Sequence, residues 1–208
     1  MYSAQQSPIN LTNPIYCDFG RDGLDLKLKK SAIGEFEPDH GSFNFGGDER
    51  QFIVLRRKKF HLVQFHFHHP SEHWVDGKQQ TMELHIVHQN INDGTRAVLG
   101  VFIEPSPSAK TTPSLVTHIQ AYFANKGPSS KPPVPTNPLE WLPSDVSQYY
   151  RYEGSLTTKD FGENVSWVVF RHPLLLPLKD LNDLIKSYRH PARLPQALNR
   201  RYLLANWR

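Results

Sequence analysis

Cysteine is almost missing: Cys17 is the only one among 208 residues. No intrachain disulfide can form, which excludes a small stapled scaffold. No run of 18 apolar residues occurs, and the mean hydropathy is −0.54, so no ordinary membrane-spanning helix is expected and no membrane partner. Charge of one sign is lacking too. Lys and Arg number 24 against 20 Asp and Glu, and a net charge of +4 does not call for nucleic acid. No charged n-region with an apolar h-region precedes Gln5. That predicts a cytoplasmic protein, with a periplasmic or secreted location as the alternative if the N-terminus is processed or incomplete. Repeats are absent, and only Gly127 to Pro138 reads as a Pro/Ser-rich connector. A chain of this length buries about 70% of its unfolded surface, enough for one domain over residues 1–208.

What is present is mostly strand-like. Gln51 to Leu55 is followed by the basic run Arg56 to Lys59, read as a solvated turn, and then by Phe60 to His68 in strict period two. Met82 to Gln89 also alternates, Arg96 to Ile103 is apolar like a buried central strand, and Ser166 to Phe170 is a further candidate. Two helices are predicted. One starts at the cap Thr112-Pro113, carries Leu115, Val116, Ile119, Tyr122 and Phe123, and stops at Gly127. The other runs from about Lys179 to Tyr188. The expected fold class is mainly β (α+β): a central twisted, mostly antiparallel sheet with a few short peripheral helices.

Seven of the eleven histidines lie between His61 and His88. In Gln64-Phe65-His66-Phe67-His68 the two imidazoles share a face, about 6 to 7 Å apart along the strand, while Val63, Phe65 and Phe67 face the other way. Glu83, His85 and Val87 share a face of the next strand. If the two strands pair antiparallel, His85 completes a three-histidine site. Three neutral imidazoles leave the full charge on Zn²⁺ and one corner open to water, the composition of a catalytic site. Gln64 and Glu83, each two residues before a ligand, are placed to hold the other ring nitrogens. The spacing from His66-x-His68 to Glu72 also fits half of a cupin signature, in which Glu72 would be a ligand. The glycines that signature needs are replaced by Phe60 and Gln79.

The same residues carry a resemblance. Gln64 to His68, Ser71-Glu72-His73 and Glu83 to His88 resemble the central block of the α-class carbonic anhydrases. Gln6-Ser7-Pro8-Ile9-Asn10, Ala97 to Gly100, Tyr152 to Thr158, Trp167 and Gln196 to Arg201 match in order along the chain. The tight Pro70 to His73 segment is similar to the bacterial branch. The resemblance implies a mostly antiparallel sheet with zinc at the bottom of a cleft, and reversible hydration of CO₂ to bicarbonate as monomer or homodimer. It implies His66, His68 and His85 as zinc ligands. Thr157 would orient the nucleophile and donate its own proton to Glu72, an apolar wall of Val87, Val98, Leu156, Val165 and Trp167 would hold CO₂, and Thr158 would line the polar side. It also implies a proton-carrying histidine, whose aligned position is Gly41, leaving the adjacent His40 as candidate shuttle. Lys159-Asp160 stands where a Pro-Pro is usual, the expected downstream cysteine is Phe161, and only five residues precede Gln6, so the aromatic N-terminal rim is expected to be missing. The alternative is a weak or inactive relative that keeps the fold as a binding module.

Overall fold

The computed structural model describes residues 4–37, 42–46, 48–124, 133–187 and 192–208. The first strands are β1 (Asn10–Leu11), β2 (Ile15–Tyr16), β3 (Asp25–Lys27), β4 (Ala32–Glu37), β5 (Ser42–Phe45) and β6 (Phe52–Leu55). The site-bearing centre follows with β7 (Lys58–His68), β8 (Trp74–Val75), β9 (Lys78–Gln79), β10 (Met82–Gln89) and β11 (Arg96–Pro105). After helix α1 (Ser114–Ala124) come β12 (Val134–Thr136), β13 (Tyr149–Gly154), β14 (Val165–Phe170), β15 (Leu174–Leu176), helix α2 (Leu178–Ser187) and β16 (Leu204–Ala205).

The main sheet runs β12-β4-β5-β7-β10-β11-β14-β13-β16-β2, with β6 and then β3 continuing from β7, and β15 beside β11. Most pairings are antiparallel; β11 is parallel to β14 and β15, and β16 to β2. The expected fold class is therefore the observed one. Alternation along the central strands sorts side chains onto two faces, but the expected strict period of β7 breaks at Val63. A bulge opposite Val87 and His88 puts Phe60 and Leu62 in the same core as Phe65 and Phe67 and leaves Val63 on the lobe beside His66. Phe65, Phe67, Leu84, Ile86, Leu99 and Val168 join the cluster under the two helices, which also holds Trp141. Val87, Val98, Trp167 and Val169 form a second cluster with Ile9, Leu11 and Tyr152 on the histidine face. Each such large side chain contributes about 1.5–3 kcal/mol when taken out of water, so both faces stiffen the strands that carry the site.

Arg56-Arg57 is a two-residue turn between β6 and β7, both residues at positive φ (51° and 60°), whereas Lys58 and Lys59 already pair with β6 as the start of β7, so only the first half of the basic run is the expected turn. Helix α1 differs at its start. The hydroxyl of Thr112 goes to Asp180 rather than to the helix, and Glu140 Oε2 accepts from Ser114 N at 2.8 Å. A carboxylate answers the positive end of the helix better than a neutral hydroxyl does. Within the Pro-rich connector, Val134–Thr136 pairs with β4 at the sheet edge, where Pro135 can be accommodated.

Candidate metal centre

β7 and β10 pair antiparallel with His66 opposite His85 and His68 opposite Glu83. The three imidazoles thus rise from one face of neighbouring strands, and their ligand atoms lie within 4.8 Å of one another. His85 Nδ1 is 3.2 Å from His66 Nε2. His66 Nδ1 meets Gln64 Oε1 at 3.1 Å, and His85 Nε2 meets Glu83 Oε1 at 3.0 Å. Those acceptors turn Nε2 of His66 and Nδ1 of His85 towards the shared space. His68 Nδ1 lies 3.4 Å from Glu72 Oε1, which leaves its Nε2 for the same space. A set of three neutral nitrogen donors suits a divalent transition metal. Glu72 stands beside this set rather than in it, contrary to the cupin pattern.

Glu83 does more than its spacing predicted. Its Oε2 accepts the main-chain N–H groups of Glu72 (3.0 Å) and His73 (2.8 Å), and its Oε1 meets His73 Nδ1 at 2.7 Å as well as His85. Burial opposes ionisation, yet the two imidazoles hold its carboxyl well below the usual carboxylate range. Gly100 makes this possible: a Cβ there would stand 3.0 Å from Glu83 Oε1. His73 Nε2 lies 2.7 Å from the Tyr152 hydroxyl, which lies 2.9 Å from Ser7 Oγ. Trp167 packs edge-on against both His73 and His85, 4.8 Å between ring centres, and anchors its own N–H on Ser155 O at 3.0 Å. His73, Tyr152 and Ser7 all sit in matched segments, but no local spacing assigns them this role.

Glu72 is almost fully buried, and Arg193 N donates to its Oε1 at 2.9 Å. Burial pushes its carboxyl pKa up; His85 and the hydroxyl of Thr157 oppose the rise. Thr157 approaches Glu72 without a hydrogen bond of standard geometry, and Glu72 Oε2 has no such partner. The turn carrying Lys159-Asp160 closes through Phe161 N to Thr158 O at 3.0 Å, with Asp160 at φ 80°, and leaves Thr157 buried beside Glu72.

Two joined lobes open from the histidines. The smaller, about 170 Å³, is walled by Val87, Val98, Leu156 and Trp167. The larger, about 570 Å³, is lined mostly by polar residues, with Ser42, Asn44, Glu72 and Lys159 on its wall beside Phe67. Gln64, His66, Thr157 and Thr158 border both. Val165 is buried in the cluster behind the apolar lobe rather than on its lining. His40 and Gly41 lie outside the described residues.

The family model described as eukaryotic-type carbonic anhydrase matches residues 2–208. The chain belongs to this α-class carbonic anhydrase family. It is 34% identical to a carbonic anhydrase of Nostoc sp. over 74% of this chain and 56% of that protein. It is 29% identical to a carbonic anhydrase of Pectobacterium atrosepticum over 96% of this chain and 79% of that one. The chain thus spans little more than half of the Nostoc relative. The solved α-carbonic anhydrase of Thermovibrio ammonificans, in complex with the inhibitor sulfanilamide, superposes with a TM-score of 0.78 at 29% identity, covering 96% of this chain and 86% of that one.

Proposed function

We propose that this carbonic anhydrase chain hydrates CO₂ reversibly to bicarbonate at a zinc ion held by His66, His68 and His85. The observation that carries the reading is the convergence of three imidazoles, with the outward nitrogens of His66 and His85 held by Gln64 and Glu83, at the junction of two lobes, one of them with an apolar wall of Val87, Val98, Leu156 and Trp167. When bound, zinc lowers the pKa of a water to about 7 and so supplies hydroxide at neutral pH, an effect for which carbonic anhydrase is itself the reference case.

The chain's own residues do the rest. Val87, Val98, Leu156 and Trp167 offer a slot without competing hydrogen bonds to a nonpolar, linear substrate, and Val165 backs it. Thr157 would accept from the nucleophile and, closing the short gap to Glu72, donate to that carboxylate, so that a lone pair points at the slot; this is positioning rather than proton abstraction. Arg193 N occupies Glu72 Oε1 and leaves Oε2 for that bond. Thr158 and the larger lobe face the product anion, and His40 is the candidate for carrying the released proton. Zinc content and stopped-flow CO₂ hydration test the reading together. One zinc per chain with hydration well above buffer supports it, and E72Q keeps its zinc while turning over more slowly. Stoichiometric zinc without hydration above buffer rejects it in favour of a binding module.

A further inference from the structure

A second cavity, about 530 Å³, lies against β13 apart from the histidine cluster, within the range of about 300–1,000 Å³ usual for small-molecule sites. Three arginines border it, and they differ in what they have left to offer. Arg201 donates to the carbonyls of Gln6, Glu153, Ala197 and Leu198 and stacks on the Tyr152 ring. Arg56 meets Glu153 at 3.4 Å. Arg151 is only 7% exposed, yet among the described residues it pairs with no carboxylate. Its Nη1 donates to the main-chain carbonyl of Asp22 at 2.9 Å, and its guanidinium lies 5.1 Å from the Phe19 ring centre.

The acids around the cavity are already engaged. Asp22 meets Arg57 at 3.0 Å, Glu153 also accepts from Ser166 Oγ at 2.7 Å, and Asp18 accepts from Gly20 N at 3.0 Å. Glu153 and Asp22 act on the Arg151 charge from a distance, but neither bonds its guanidinium, whose remaining N–H groups form a planar fork that matches a carboxylate edge-on. The rest of the wall is apolar where it matters: Phe19, Tyr202 and Leu204 flank the same space. We propose that this cavity binds a small monocarboxylate, its carboxylate on the free edge of Arg151 and its apolar body against Phe19, Tyr202 and Leu204. Arg201 has spent its N–H groups on carbonyls, so one guanidinium edge is left for one carboxylate, and the volume far exceeds what a bare inorganic anion fills.

Cys17 lines this cavity and is the chain's only thiol, so its alkylation by neutral iodoacetamide reports occupancy there and not at the histidines. Benzoate is the probe and benzamide its uncharged counterpart. At ten times its dissociation constant benzoate slows alkylation of the whole chain about tenfold, by mass action, if the filled cavity excludes reagent. Benzamide leaves the rate unchanged, bicarbonate protects far less than benzoate, and R151Q, with unaltered circular dichroism, loses the protection. Absent or unsaturable protection overturns the proposal, as do equal protection by benzamide or bicarbonate and protection that survives in R151Q. Should R151Q fail to fold, the three-ligand comparison on the unaltered chain decides alone.

Discussion

Replacing Glu83 with glutamine keeps the side chain's shape but exchanges one of its two oxygens for an amide donor, and the surroundings dictate where that donor must go. Oε2 faces two main-chain N–H groups, those of Glu72 and His73, which cannot give up their hydrogens. Oε1 faces two imidazole nitrogens, on His73 and His85, which can. The amide nitrogen therefore turns towards the imidazoles and forces His85 to accept at Nε2, which moves its proton to Nδ1. That nitrogen is the one aimed at His66 Nε2, 3.2 Å away, and protonated it cannot ligate a metal. The expected loss is 10–100-fold in zinc affinity, or about 1.4–2.7 kcal/mol, the usual effect of removing such a partner and one for which carbonic anhydrases are a reference case. The fold loses a similar amount, about 2 kcal/mol, because charge-assisted bonds become neutral ones rather than vanishing. Chelator competition gives the zinc constant, and urea unfolding of the metal-free chain gives the stability. Unchanged zinc affinity in a folded E83Q refutes the tautomer reasoning.

Two further outcomes follow from buried groups nearby. His88 is fully buried, and burial pulls its pKa from 6.5 down to about 3, against the main-chain bond to Ile86. Because the folded value is the lower one, the unfolded chain takes up the proton first. Stability falls by about 1.4 kcal/mol per pH unit as pH drops from about 6.5 towards 3. In metal-free protein, H88Q has a shallower acid slope by about one proton between about pH 6 and 4, and an identical slope contradicts the assignment. Gly100→Ala puts a methyl 3.0 Å from a carboxylate pinned by four donors and 3.2 Å from Val169, so it costs about 1–3 kcal/mol and lowers the melting temperature. An unshifted melting curve shows that Glu83 has room to move.

The metal centre was legible because it is built from short-range rules. Alternation puts His66 and His68 on one face, and one antiparallel pairing brings His85 opposite His66. Gln64 and Glu83 follow from the same period. The other half of Glu83's work was not legible, because His73 reaches it from a loop and Tyr152 and Ser7 come from 79 residues beyond His73 and 145 residues before Tyr152. Strand β4 escaped notice because Gly34 interrupts its apolar alternation. That glycine is required by packing across the pair: a Cβ there would fall 2.3 Å from the Phe43 ring. Strand β13 hid behind Arg151, a charged residue in a buried run whose partner is a carbonyl far along the chain. Thr112 gave the helix start but not its cap, since the carboxylate of Glu140 from a later turn takes that place.

Zinc K-edge absorption on the purified chain tests the central claim most directly. Three imidazole nitrogens at about 2.0 Å and one light-atom scatterer from solvent are expected, with H85A losing the zinc. A carboxylate in the first shell, a fourth protein ligand, or an unaltered spectrum in H85A would contradict the account.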